Sequence, residues 1–229
     1  MGERILSLEG NSNLIQTNWS SPPSDPMELM KDWISQAEKV GVCEPLGMNL
    51  TTVDRAGWSR NRVVLVKELR NSSIIFGSSS ISDKGKDIDA NPKVAGNFWW
   101  RESIQQIHFK GFAAIASEEK SERLFSQRSR EAQAVALSSL QSQPLQSESD
   151  LKTRFEALSQ TTQPLHRPST WHAYEIIPVE YEFWQGDATR LHKRLRYRLQ
   201  IPNIDLSELS NINELEINRG QWIQQRLQP

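Results

Sequence analysis

The residues best suited to chemistry lie toward the C-terminal end. There Phe183-Trp184-Gln185-Gly186 is followed by Arg190-Leu191-His192-Lys193-Arg194-Leu195-Arg196-Tyr197-Arg198. Side chains on a β-strand alternate faces with period two, so Arg190, His192, Arg194, Arg196 and Arg198 are expected on one face and Leu191, Leu195, Tyr197 and Leu199 on the other. Like charges at neighbouring positions of a face repel. Several guanidiniums and an imidazole beside a tryptophan therefore point to a held anion with a planar body. Arginine suits that task, because its flat fork pairs with phosphate or carboxylate and stacks on rings. The same run would also serve as an exposed basic edge that discourages aggregation.

Three further places carry polar chemistry. Arg62 and Lys67 flank Val63-Val64-Leu65-Val66, a run that reads as a buried strand. Five positions apart, the two cations point to opposite faces and serve different groups. In Ser78-Ser79-Ser80-Ile81-Ser82-Asp83-Lys84-Gly85, hydroxyls precede a helix N-terminus and a lysine, which makes a phosphate seat or an ordinary serine loop. Gln105-Gln106 opens a strand. Glutamine both donates and accepts, so it suits a heterocycle edge, although a surface pair is as good a reading.

These groups need elements to hold them. Asp25 caps a helix with Pro26 at its first position, Leu29, Met30, Trp33, Ile34 and Ala37 recur at helical spacing, and Gly41 stops it. That stripe is expected to be core. Period-two strands are expected at Met48 to Val53 and Arg60 to Glu68, joined by Asp54-Arg55-Ala56-Gly57, and at Ser73 to Ser78. A helix from Asp83 to Ala90 is capped by Ser82 and ended by Asn91-Pro92. Strands follow at Val94 to Trp100 and Gln105 to Ser117, and helices at Glu118 to Gln127, Glu131 to Leu137 and Ser147 to Ser159. The last strands are Trp171 to Ile177, Glu180 to Trp184, Leu191 to Leu199 and Gln221 to Leu227, with a surface excursion from Ile201 to Arg219. No βαβ alternation, GxGxxG or P-loop is present, which removes dinucleotide-fold and nucleotide-hydrolase readings. Strands bracketing helices favour one antiparallel barrel over residues 25–229, preceded by a polar, mobile arm over residues 1–24.

Composition narrows the classes further. A formal net charge of -1 gives no global basicity for nucleic acid. Cys43 is the sole cysteine, so no internal disulfide can form and a reducing, cytoplasmic setting is expected. No run reaches the roughly 18 apolar residues of a membrane span. His108, His166, His172 and His192 lack metal-ligand spacing, so no metal is expected.

Taken in order, DPMELMKDW from Asp25, RVVLVK from Arg62, Ser82-Asp83-Lys84-Gly85, QQI from Gln105, LQS from Leu140, EFWQG and RLHKRLRY from Glu182 onward, and the ending Trp222 with Arg226-Leu227-Gln228-Pro229 resemble the pyridoxamine 5'-phosphate oxidase family. The resemblance covers nearly all of the chain from Asp25. It implies a mainly β fold with α, the split β-barrel FMN-binding fold with peripheral helices. It also implies an FMN-dependent oxidoreductase, a homodimer with FMN at the interface. Arg62, Gly77, Ser78, Lys84, Gln106, Gln141, Ser142, Trp184 and Arg194 fall at its flavin-binding positions. Asp83 departs from it, standing where vitamin-B6 members carry arginine, which weakens the expected phosphate grip. Those members hold the substrate phosphate with lysine, tyrosine, arginine and serine. Here Lys67 and Arg128 remain, but Leu124 and Ala132 occupy the tyrosine and serine positions. Each lost donor to a charged group removes about 1.5–3 kcal/mol. The run from Trp100 to Ile107 is similar to that of the family's phenazine-biosynthesis oxidases, which oxidise reduced tricyclic phenazine carboxylates. The implied substrate is thus a small anionic aromatic or tricyclic molecule, bound by Lys67, Arg128, Arg190 and His192. Arg190 and Lys67 would take the carboxylate, and His192 would orient substrate or relay a proton, making Arg190 and His192 the catalytic pair. Retained Lys67 favours the alternative, a pyridoxine/pyridoxamine 5'-phosphate oxidase.

Overall fold

The structure is a computed structural model that describes residues 9–201 and 220–229. Apart from Ile201, the expected excursion over 201–219 lies outside the described residues. Helix α1 (Pro26–Lys39) forms as its cap and stripe demand. The Asp25 carboxylate accepts from the Met27 N–H at 2.8 Å, and Met27, Leu29, Met30, Trp33, Ile34 and Ala37 are buried. Trp33 is fully enclosed, its ring set edge-on to Phe183 and tilted against Trp100. The stripe is core, as its spacing predicts.

Among the described residues eight strands follow the expected order: β1 (Gly47–Val53), β2 (Ser59–Leu69), β3 (Ile74–Ser79), β4 (Lys93–Trp100), β5 (Gln105–Ile115), β6 (Trp171–Gln185), β7 (Lys193–Gln200) and β8 (Gln221–Leu227). They pair antiparallel in the order β3-β2-β1-β4-β5-β6-β7-β8, and a further β3–β6 pairing closes the first six into a barrel. β7 and β8 extend the sheet beyond β6. The remaining helices, α2 (Asp83–Ala90), α3 (Glu118–Ser126), α4 (Arg130–Ser138) and α5 (Glu148–Gln160), are peripheral, so the mainly β split-barrel reading stands.

Four local expectations need correction. The strands expected at 171–177 and 180–184 are one strand, because β6 carries a bulge beside Pro178: Lys110 and Gly111 of β5 face Glu180 and Pro178, and Val179 is the extra residue. Val63 and Leu65 are exposed, not buried, since β2 turns Arg62, Val64 and Val66 inward instead. β7 begins only at Lys193; Arg190 and His192 precede it, and Arg190 has a left-handed φ of 69°. The described part of the expected arm runs along the domain: Ile15 is buried, the Asn11 N–H reaches the Glu102 carbonyl, and Tyr197 Oη donates to the Pro23 carbonyl at 2.8 Å.

α2 is fastened to the barrel by a buried carboxylate. Asp87, only 3% exposed, accepts from Thr52 Oγ1 at 2.7 Å and Arg60 Nη1 at 2.8 Å, with Arg62 Nη2 at 3.9 Å. Removing this acid takes a charge partner from half-buried Arg62 and leaves the buried Thr52 hydroxyl without its acceptor, while Arg60 keeps Asp54 at 3.2 Å. Replacing Asp87 by Ala is expected to lower unfolding free energy by about 2–4 kcal/mol, read as a lower midpoint in urea with an unchanged slope.

Candidate functional site

The first cluster sits where β3 ends and α2 begins. Ser82 caps α2, accepting from the Gly85 N–H, and this turns Lys84 inward. Lys84 is 8% exposed, and its Nζ donates to Gln141 Oε1 at 2.9 Å, Ser78 Oγ at 3.1 Å and Ser82 Oγ at 3.3 Å. Among the described residues none of its hydrogen-bond partners is a carboxylate. Burial, with Arg62 nearby, pushes its pKa down to about 8. Arg62 is held by Thr52 Oγ1 at 2.8 Å and the Leu50 carbonyl at 3.2 Å, and burial likewise lowers it. Ser142, with φ 71°, places its hydroxyl 3.2 Å from the Asp83 N–H. Arg62, Ser78, Lys84, Gln141 and Ser142 therefore converge as the motifs predict. Asp83 favours the charged forms of both cations while adding a negative charge of its own.

Gly77 joins this seat to a second pocket wall. A Cβ there would lie 2.3 Å from the Trp171 ring, so only glycine lets the indole pass. Across that indole lies Arg128, its guanidinium carbon 5.1 Å from the ring centroid, donating from Nη2 to the Ala132 carbonyl at 2.9 Å. Arg128 Nε is buried with no hydrogen-bond partner, and desolvation lowers its pKa. Leu124 packs with Ile75, Phe125, Trp171 and Ala173 in an apolar cluster, so this wall has a cation and no hydroxyl from that position. Lys67 is exposed on the outer face of β2.

The second cluster is a cross-strand row. Gln106 of β5 faces Trp184 of β6, which faces Arg194 of β7. The His192 ring lies 4.7 Å from Trp184, and Trp99 lies 6.2 Å from it. The Asp187 N–H donates to His192 Nδ1 at 3.1 Å, so the neutral ring carries its proton on Nε2 and presents a donor. Arg190 is exposed at the end of that turn, its N–H on the Asp187 carbonyl. The expected bare cationic face is instead a charge ladder. Glu182 accepts from Arg194 and Arg196, and Glu180 pairs with Arg198 at 2.6 Å. Burial opposes ionisation of Glu182, but the two arginines outweigh it and hold the carboxyl below its usual range. Sequence reading missed Glu182, Asp87 and Trp171; the signal for the first was acids two apart, at 180 and 182, on a strand beside alternating arginines.

The two clusters lie at opposite ends of β6. His172 pairs with Ser78 in one and Trp184 belongs to the other. The intervening strand measures roughly 40 Å at about 3.3 Å per residue. One chain thus presents two half-sites: a phosphate-sized cationic seat with an indole wall, and a row of amide, indole, guanidinium and imidazole. Among the described residues no group of three or more His, Cys, Asp or Glu side chains could hold a metal, and no helix is long and apolar enough to cross a membrane.

Comparison with known proteins agrees with this layout. Residues 37–162 match the family model described as pyridoxamine 5'-phosphate oxidase, and residues 171–229 match the pyridoxine 5'-phosphate oxidase C-terminal dimerisation region. The chain is 33% identical over 207 residues to a pyridoxine/pyridoxamine 5'-phosphate oxidase of Mannheimia succiniciproducens, covering 90% of this chain and 89% of that one. It is 30% identical over 191 residues to a dihydrophenazinedicarboxylate synthase of Pseudomonas chlororaphis, covering 83% and 86%. The crystal structure of PhzG from Burkholderia lata 383, in complex with tetrahydrophenazine-1-carboxylic acid, superposes with a TM-score of 0.85 at 29% identity, covering 96% of this chain and all of that one.

Two outcomes follow from the half-sites. The folded chain resists protonating Lys84 between pH 8 and 10.5, where the unfolded chain already binds that proton, so its charge costs on the order of 3 kcal/mol of stability below pH 8 and nothing above 10.5. Lys84→Met should therefore raise the thermal midpoint of the ligand-free protein at pH 7, a gain that fades toward pH 10.5. For His192, Gln keeps a donor near Nε2 and Asn does not. His192→Gln should keep kcat/KM within about tenfold of wild type and His192→Asn should lose about a hundredfold or more, measured by steady-state oxygen uptake.

Proposed function

The chain belongs to the pyridoxamine 5'-phosphate oxidase family, and from that premise we propose that it is an FMN-dependent oxidase of a reduced phenazine-type carboxylate, with oxygen as acceptor. Membership makes it an oxidoreductase. The observation that carries the finer reading is the wall around Arg128: a desolvated cation on an indole, with Leu124 committed to the apolar cluster and Ala132 offering only its backbone carbonyl. Such a wall suits a carboxylate on a broad apolar ring better than a phosphate needing several donors. The likeness to the Burkholderia lata protein, which binds a tetrahydrophenazine carboxylic acid, supports it.

The residues fit FMN. Lys84 is a buried cation whose partners are two hydroxyls and an amide, a setting that a phosphate would complete. Arg62, Ser78, Gln141 and Ser142 would share that phosphate, with Gly77 leaving room for the Trp171 wall. Gln106, Trp184 and Arg194 would meet the polar edge of the ring system. When bound, FMN supplies the redox chemistry, accepting two electrons from substrate and passing them to oxygen as hydrogen peroxide. Because one chain holds its half-sites at opposite ends of β6, a second copy supplies the missing half. The match of residues 171–229 to a dimerisation region supports a homodimer with FMN at its seam, and exposed Val63 and Leu65 suit burial there. The exposed thiol of Cys43 suits a cytoplasmic, reducing setting.

In that arrangement Arg190 and Lys67 draw in the substrate carboxylate, Arg128 lines the apolar wall, and His192 donates from Nε2 to orient the ring. A second reading, oxidation of pyridoxine or pyridoxamine 5'-phosphate, is favoured by Lys67 and by 33% identity to an oxidase of that name. The test is hydrogen peroxide release by purified, FMN-loaded protein. A reduced phenazine carboxylate should turn over with kcat/KM at least about a hundredfold above pyridoxamine 5'-phosphate, the sum of two lost donors. Equal or reversed rates would transfer the assignment to the second reading, and a protein that takes up no FMN would remove both.

A further inference from the structure

Glu182 lies one step behind the Gln106–Trp184–Arg194 row, on the same face of β6 as Trp184. Its Oε1 accepts from both Nε and Nη2 of Arg194, at 2.8 and 2.6 Å, and its Oε2 accepts from Arg196 Nη2 at 3.1 Å. That grip fixes the Nε/Nη2 edge of the Arg194 guanidinium. The free edge is Nη1, whose protein acceptor among the described residues is the Gln228 carbonyl at 3.3 Å. No other acid on this face stands in reserve: Glu180 is engaged by Arg198 at 2.6 Å and Lys110 at 3.6 Å.

We propose that Glu182 is a positioning residue, which holds the Arg194 guanidinium by one edge so that the other meets the flavin. This rests on the FMN reading above. A free arginine on a sheet edge samples many rotamers, and an exposed ion pair is worth little. Here the carboxylate is 14% exposed and spends both oxygens, so the arginine is held before any ligand arrives. Arg196 engages the other carboxylate oxygen through its Nη2 at 3.1 Å, so each oxygen of Glu182 is held by a different arginine.

The test is a double-mutant cycle on the full-length protein, reading the dissociation constant of FMN by fluorescence quenching and the two-electron midpoint potential of the bound flavin. Glu182→Gln keeps volume and removes charge; Glu182→Asp keeps charge and withdraws it by a methylene, and serves if the first variant folds poorly. Either alone should weaken FMN binding about five- to thirtyfold and shift the potential, and either should change nothing further in an Arg194→Gln background. An effect of Glu182→Gln that persists in full when Arg194 is already gone would make Glu182 merely structural and overturn the proposal. So would wild-type affinity and potential in both single variants. Failure of the wild-type chain to bind FMN would overturn the FMN reading itself, a separate and recognisable result.

Discussion

Everything about the site turns on the length of one strand. β6 is 15 residues long, and its first half closes the barrel on β3 while its second half carries β7. Because residues 174–178 and 180–185 are paired to β5, with Val179 bulged between them, the strand is held extended between two clusters of polar groups. The bulge at Val179 lets the strand run on past Pro178. A barrel with two shorter strands at this place could have folded its two clusters together; this one keeps them at opposite ends of one strand.

Charge distribution sorts the cations into two kinds. Most have an acid: Arg60 and Arg62 share Asp87, Arg194 and Arg196 share Glu182, and Lys120 has Glu175 at 2.7 Å. These fasten elements to one another. Lys84 and Arg128 are different, since each is taken from water and bonded only to neutral oxygens. Withdrawing a cation from water without an opposite charge is unfavourable, so these two places are where the fold stores a demand for an anion. They also lie on the two sides of the Gly77–Trp171 contact, which puts the two cations in neighbouring places of the fold.

Much of this was legible in the residues themselves, wherever the information is local. Asp25 and Pro26 declare a helix start, Ser82 another, and the period-two runs name seven of the strands' positions within a few residues. The grouping of Ser78 with Lys84 was also readable, because a cap and a short turn fix it, whereas Arg62 joins them from β2 and was expected there only through the family resemblance. What could not be read was pairing across the sheet. Period two says that Arg194 and Arg196 share a face, but not that Glu182 of a neighbouring strand stands between them. Register is set by the whole sheet, and so the bare basic face became a ladder. Likewise Arg190 and His192 left the strand because the turn at 187–190 closes on itself through the Asp187 carbonyl, a tertiary choice that alternation cannot foresee.

That turn is also braced from outside. The Gly186 N–H donates to the Ile104 carbonyl at 2.8 Å, and a Cβ on Gly186 would lie 2.3 Å from the Ile104 side chain. Ile104 itself has φ 52°, a conformation that a β-branched residue holds only when its surroundings impose it, at about 1–3 kcal/mol. The surroundings are visible: the Gln185 amide donates to the Ser103 carbonyl at 3.0 Å, and the Glu102 carbonyl and carboxylate accept from the backbone N–H groups of Asn11 and Cys43. The residues before α1 therefore help to pin the β4–β5 turn, that turn pins Gly186, and Gly186 starts the loop that fixes the His192 tautomer. A loop held through so many segments has its His192 ring fixed by the fold itself, with Nδ1 accepting from the Asp187 N–H.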